Sequence, residues 1–411
     1  MKQLLNTIPA TILSIFFSAL LTGCGGGGEA GSDNEPLSKT ECGVDGLVSY
    51  PADFPEPSIP CDFRLSNAKI ELGRFLFYDR NMSFNQTQSC ADCHQQDKAF
   101  TDGLVTSIGS EGAVHPRNSM SMGNVVYNAT QNWSNNVIVH LHEQALAVLT
   151  NEDPVELGWE GNDIEIANRF RQVLVDPVAG TIDYPTLFNN AFPDAADPFT
   201  IFKFTEAIGA FGATMITGNS AFDKTQRGDA NAMSDSAKRG REIFFSERTE
   251  CFHCHGGFNF SDSIDHTGTA LDSKPFHNTG LYNLNGDGSF PDNNPGLIEF
   301  TLAAEDEGKF RAPTLRNIEL TAPYMHDGSI ASLEEVIAHY KRGGRLISTG
   351  ENQGDGALNP NKSSFISGFI LTAAEEVDLI EFLKSLTDMD FVCNPELSDP
   401  FENIPMHTAC P

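Results

Sequence analysis

The chain has 411 residues, 40% of them hydrophobic, enough to bury a sizeable core, and ordinary domain sizes predict two folded units behind a leader. With 56 acidic against 26 basic residues the formal charge is -30, which excludes nucleic acid as a partner, because phosphate repels such a surface and no basic stripe interrupts it. A surface this acidic either steers a basic redox partner or serves solubility alone.

The first residues are Met1-Lys2, an apolar stretch from Leu4 to Leu21, and Leu21-Thr22-Gly23-Cys24. A charged start, a short hydrophobic region and a small-residue cleavage site make 1–23 a secretory leader rather than a spanning helix. Its ending resembles a bacterial lipoprotein signal, so Cys24 is expected to carry lipid. The mature protein would then be tethered to a bacterial membrane, expected to be the outer one, on the periplasmic side or the cell surface. Residues 24–60 are read as the lipidated cysteine, a flexible polar linker from Gly25 to Pro36, and an N-terminal extension.

Ser66 to Tyr78 has apolar residues at helical spacing and leads through a polar loop into Cys90-Ala91-Asp92-Cys93-His94. Ser236 to Phe245 repeats this approach before Cys251-Phe252-His253-Cys254-His255. Cys-x-x-Cys-His attaches a c-type haem: two thiols at that spacing add to the two vinyl groups, and the next imidazole reaches the iron. A disulfide or a zinc half-site would explain one such run, but not two with similar approaches on an exported chain. Two covalent haems are therefore expected, held by Cys90, Cys93 and His94 and by Cys251, Cys254 and His255.

The echo Ala-Lys, Gly-Arg, Phe before both motifs is an internal repeat, so each half is expected to be a small cytochrome c-like unit. The fold predicted is mainly α, with two cytochrome c-like domains (61–225 and 226–411, the second with a C-terminal extension), long loops and little β. Each half should close with a helix, over Pro198 to Thr217 and from the capping box Thr372-Ala373-Ala374-Glu375 to Leu386. The polar run Gly218 to Asp235 is the expected boundary, and Ser261 to Glu307 a long loop. Cys42, Cys61, Cys393 and Cys410 are left for two disulfides in an oxidising compartment; three connectivities are open, nearest-neighbour pairing being one.

From about Ala68 to Leu386 the chain resembles the bacterial diheme cytochrome c peroxidase and MauG superfamily. The matching stretches are Leu72 to Asp79, Cys90 to Gly103, Pro116-Arg117-Asn118, Asp153 to Gly158, and Phe310 to Asn317 with its continuation Leu320 to Gly328. The run from Phe244 to Phe260 is most similar to MauG-like proteins related to the methanobactin-associated tryptophan-oxidising enzyme.

The resemblance implies two haems with unequal tasks. In peroxidases that need reductive activation, a distal His closes the first iron; here Ser110 stands in that stretch, which implies an open first haem unless a shifted loop brings in His115. Glu156 is then the expected acid-base group for peroxide, with Gln144 as a hydrogen-bonding neighbour and Trp133 as the inter-haem bridge. In the ligand position of the second haem, where peroxidases place a Met and MauG-like members a Tyr, this chain has Tyr340; Met325 and His339 are the alternatives. A phenolate is a hard anionic donor that lowers the potential and suits storage of an oxidising equivalent as Fe(IV). The resemblance also implies a calcium ion held by Asn118, Thr321 and Pro323, and a propionate contact for Arg316.

The activity implied is a MauG-like oxidation, in which hydrogen peroxide drives the oxidation of an aromatic side chain, expected to be Trp, on a partner protein. The alternatives are a peroxidase fed by a small cytochrome or copper protein, and a diheme electron carrier with no chemistry of its own.

Overall fold

The structure is a computed structural model that describes residues 46–410 except 62, 152, 160, 162, 176–181, 270–273 and 402–406. Cys24, Cys42 and the leader lie outside the described residues.

The first half contains α1 (Asn67–Tyr78), α2 (Cys90–Cys93), α3 (Leu141–Thr150), α4 (Asp163–Val175), α5 (Tyr184–Ala191) and α6 (Ile201–Gly212). The second contains α7 (Ala221–Gln226), α8 (Asp235–Phe244), α9 (Cys251–Cys254), α10 (Ile298–Thr301), α11 (Leu333–Arg342) and α12 (Ala373–Lys384), followed by α13 (Met389–Val392). Among the described residues the only named strands are β1 (Leu346–Ile347) and β2 (Gly354–Asp355), antiparallel with Leu346 opposite Asp355. The architecture is mainly helical with little sheet, as the sequence predicts.

The helix starts follow from local chemistry. Ser66 Oγ accepts from Lys69 N to cap α1, and Thr372 with Glu375 forms the expected capping box on α12. The internal repeat has a packing explanation. A Cβ at Gly73 of α1 would lie 1.9 Å from Ala207 O of α6, and one at Gly240 of α8 would lie 1.8 Å from Asp378 O of α12. Each motif-leading helix thus crosses its closing helix backbone to backbone, which only glycine permits. Around one crossing lie Leu72, Leu76, Phe204 and Ile208; around the other, Phe244, Leu379, Phe382 and Leu383.

Two segments pack where the sequence pattern does not place them. α7 falls inside the polar run expected as a boundary, yet its Phe222 meets Phe260 and Phe382 of the second core. The C-terminal extension returns to the first half: Phe391 packs on Phe100, Tyr78 Oη donates to Leu397 O, and Arg74 Nε donates to Ser398 O. Asp388 fastens this return, its Oδ2 accepting from Gly218 N and Asn219 N, both 2.9 Å. Cys393 and Cys410 form a disulfide, one of the nearest-neighbour pairs, and Cys61 is also disulfide-bonded.

The loop from Ser261 to Glu307 is held by backbone bridges, among them His277 with Phe310 and Gly296 with Glu307. Buried Asn side chains complete it, as where Asn283 Nδ2 donates to Asp355 O and Asn359 Nδ2 donates to Tyr282 O. Polar loops can be buried only when their backbone groups find such partners.

Candidate active site

Both motifs fold alike. α2 and α9 are single turns that bring each cysteine pair onto one side and leave His94 and His255 as the residues that end them. His94 Nδ1 donates to Phe100 O at 2.9 Å, and His255 Nδ1 to Phe260 O at 3.1 Å. Tying Nδ1 to a carbonyl fixes the tautomer and leaves Nε2 for an iron.

The two carbonyls come from fully buried phenylalanines held at positive φ, 63° for Phe100 and 50° for Phe260. A bulky residue there costs about 1–3 kcal/mol, a strain that recurs at functional sites. Sequence reasoning missed both. The available signal was a Phe following each motif His by a short, nearly equal interval. Burial pushes the Cys90 and Cys93 thiols up to about 12 and the Cys251 thiol up to about 11.

Around the second motif, Cys251, Cys254 and His255 line a cavity of about 200 Å³ together with Tyr340 and Met325. α11 builds one wall with Leu333, Val336, Ile337 and Tyr340, the i, i+3, i+4, i+7 face of a helix. Burial raises the Tyr340 phenol well above its ordinary value, and the charges of Cys254 and Cys251 raise it further, so the phenol lies within reach of both. His339 points elsewhere, its Nε2 bonded to Thr279 O at 3.1 Å. Of the three ligand candidates, Tyr340 and Met325 therefore face this cavity and His339 does not.

Apolar walls, two thiols, an imidazole with Nε2 available and a phenol make a donor set that fits a c-type haem. Arg311 also lines this cavity, buried, with Nη1 finding no partner among the described residues, which suits an anionic edge on whatever fills it.

Arg316 requires a correction. Expected at a propionate, it is instead one of the most deeply buried side chains, with Nη1 and Nη2 bonded to the two oxygens of Asp223 at 2.9 and 3.0 Å and Nε to Phe258 O. Its guanidinium is committed to α7 and the second core. Arg311, five positions earlier in the same matching stretch, is the arginine that lines the cavity.

Beside the first motif, burial pushes the Glu156 carboxyl up to about 7, against a hydrogen bond from Asn151 that lowers it. Its charge acts on Cys90 and Cys93, so the carboxyl lies near both attachment thiols. Ser110 N donates to Glu156 O at 2.8 Å, and Gly109 is so close to Val155 that a Cβ would sit 1.9 Å from its carbonyl oxygen. The stretch where activated peroxidases place a His is thus pinned against the Glu156 segment, with Ser110 there. Ser110 Oγ and Gln144 Oε1, the latter on α3, are both buried without a partner among the described residues, as expected of groups awaiting a ligand. His115 sits at the base of this hairpin, half-buried, its N–H on Ser107 O.

Trp133 links the halves. Its Nε1 donates to Asn118 O at 2.9 Å, while its carbonyl accepts from Arg311 N at 2.8 Å. Ser119, next to Asn118, donates to Cys93 O, so the indole stands between the first motif and the second cavity. Trp159 is a core residue stacked on Phe170. Asn118, Thr321 and Pro323 line the same cleft, and Asn118 Nδ2 donates to Leu104 O. Also unanticipated is a His277–Asp262 pair at 2.6 Å beside Cys254. Burial alone would lower His277, but Asp262 and Cys254 hold it up at about 10.

The family model described as Di-haem cytochrome c peroxidase matches residues 67–231. The chain is 32% identical to cytochrome c551 peroxidase of Pseudomonas aeruginosa, over 67% of this chain and 72% of that one. It is 28% identical to methylamine utilization protein MauG of Methylorubrum extorquens, over 78% of this chain and 79% of the relative. Among solved structures it is similar to a MauG-like protein associated with microbial copper homeostasis, at 43% identity and a TM-score of 0.81, covering 86% of this chain and 99% of that one.

Proposed function

This chain belongs to the bacterial di-haem cytochrome c peroxidase and MauG family of oxidoreductases, and on that premise we propose that it is MauG-like, using hydrogen peroxide to oxidise an aromatic side chain, a Trp, on a partner protein. The observation that carries this reading is Tyr340, a phenol presented by a regular helix into the cavity that holds Cys251, Cys254 and His255. The similarity at 43% identity to a MauG-like protein supports the same choice.

Two covalent haems would supply the redox chemistry by taking up both oxidising equivalents of peroxide. His94 and His255, each oriented through Nδ1, would hold the two irons through Nε2, and Tyr340 would cap the second. Glu156 handles the proton. A carboxyl near 7 is divided between its two forms at neutral pH, so it can accept a proton from one oxygen of peroxide and return it to the other, which leaves as water. Gln144 Oε1 and Ser110 Oγ orient the peroxide.

Trp133 relays charge between the halves. Because its N–H is bonded to a backbone carbonyl, which cannot take the proton, the indole can lose and regain an electron without losing its proton. Asn118 with the Thr321 and Pro323 carbonyls would hold a calcium ion, a hard cation suited to oxygen ligands, where the halves meet. Residues 61–225 and 226–411 would each carry one haem. The Cys393–Cys410 disulfide supports an oxidising compartment, and the leader with the Cys24 lipid tether to the outer membrane completes the proposal.

Met325, lining the same cavity, favours a second reading, a peroxidase fed by a small cytochrome or copper protein, in which its thioether would help hold the second iron. Adding peroxide to the fully ferric protein separates the two. A long-lived doubly oxidised state without prior reduction is expected; turnover of reduced cytochrome that needs half-reduction first would overturn the MauG-like reading.

A further inference from the structure

The second cavity contains a buried cation that no ion pair holds among the described residues, although the charge of Asp262 acts on it from beyond ion-pair distance. Arg311 is 3% exposed, yet among the described residues no carboxylate forms an ion pair with it. Its Nε donates to Asn132 O at 3.4 Å and its Nη2 approaches Met120 Sδ at 3.5 Å, both weak contacts, while Nη1 has no partner among the described residues. Arg316, buried to the same degree five residues later, shows how this chain pairs a guanidinium when the partner is internal, with both oxygens of Asp223. In a chain of net charge -30, a buried arginine with no carboxylate in direct contact is a specific arrangement, since an unpaired buried charge is costly and acids are abundant.

A second unsatisfied group lines the same cavity. His326 is 5% exposed, its ring stacked on Phe310 at 3.5 Å and 9°, and its Nε2 has no partner among the described residues. Both groups adjoin Trp133: Arg311 N donates to Trp133 O, and the His326 ring meets the indole edge-on at 6.5 Å.

We propose that Arg311 and His326 form a clamp for the carboxylates of the tetrapyrrole in the second cavity, and that the Arg311 charge raises the reduction potential of that haem while fixing its edge against Trp133. The clamp rests on the two-haem reading but not on the choice between MauG-like enzyme and peroxidase. A planar, two-pronged guanidinium matches a carboxylate, and the buried, unpartnered Nε2 of His326 adds a second polar contact from the same wall. Arg311 is thereby a positioning residue: its backbone holds the indole while its side chain would hold the macrocycle.

The test is a spectroelectrochemical titration of the holoprotein and of Arg311→Gln, Arg311→Lys and His326→Phe. Removing the positive charge favours the ferric form. In Arg311→Gln the ferrous-to-ferric ratio of the second haem should therefore fall at least tenfold at fixed potential, a 59 mV drop for one electron. Arg311→Lys should recover most of it, and His326→Phe, which keeps the stack on Phe310, should leave the charge effect intact. An unchanged second potential in fully loaded Arg311→Gln, or a shift confined to the first haem, overturns the clamp.

Should Arg311→Gln fail to load haem, Arg311→Lys still decides. Resonance Raman propionate bands should shift because the planar fork is lost, and unshifted bands overturn the proposal. Absence of a doubly oxidised state when peroxide is added to the unmodified protein would remove the MauG-like reading and leave these potentials unaffected.

Discussion

Glu156→Gln is the substitution with the most specific consequences, because burial has moved this carboxyl from 4.5 to about 7. At about that value the acid is roughly nine-tenths protonated at pH 6 and one-tenth at pH 8, so a step that needs the carboxylate should accelerate through pH 7 and level off above it. Glutamine has the same shape but neither accepts nor returns a proton. Stopped-flow mixing of the ferric protein with peroxide should show formation of the doubly oxidised state slowed by about 10²–10⁴-fold, with the pH step abolished.

Stability gives an independent check with a fixed sign. The rise corresponds to roughly 3 kcal/mol of preference for the neutral form, a ceiling for a half-buried group. A raised folded-state value stabilises the protein fully below 4.5, and that contribution is lost as pH rises through about 7. Glu156→Gln should therefore match the parent near pH 4 and exceed its stability at pH 8, by up to roughly 3 kcal/mol in denaturant unfolding. An unchanged rate with the pH step retained would refute the assignment, and lower stability at pH 8 would refute the burial argument beneath it.

Replacing Tyr340 with Met should raise the potential of the second haem and shorten the doubly oxidised state by about tenfold or more, followed as its decay after peroxide addition. Trp133→Phe, which removes the N–H bonded to Asn118 O, should slow equilibration between the haems while leaving the first reaction with peroxide intact; rapid mixing separates the phases. Gly240→Ala gains about 1 kcal/mol of helix propensity but forces α8 from Asp378 O, an overpacking worth about 1–3 kcal/mol or more, so the midpoint of thermal unfolding should fall. Arg316→Met strands Asp223 without its partner and should cost about 3–5 kcal/mol in denaturant unfolding, with both haem potentials unmoved. A shift in potential there would restore the propionate contact expected from sequence.

What the sequence by itself determined is whatever local spacing encodes. Two Cys-x-x-Cys-His runs, the repeated helix before each, the Thr372–Glu375 capping box and the apolar faces of α1, α6, α8 and α12 all follow from contacts between residues close along the chain. Family resemblance extended this to Glu156, Gln144, Trp133 and Tyr340, and the structure puts Tyr340 in the second cavity and Glu156 near the first pair of thiols.

Only the tertiary structure decided matters that hang on distant partners. It showed that Gly73 and Gly240 are crossing points, that Phe100 and Phe260 present carbonyls to the two histidines, and that the C-terminal extension returns to the first half. It also paired Arg316 with Asp223, 93 residues away in sequence, while among the described residues Arg311 forms no ion pair. Spacing encodes which residues share a helix face, but the partner of a buried charge is set by which segments the fold brings into contact, and no periodicity carries that.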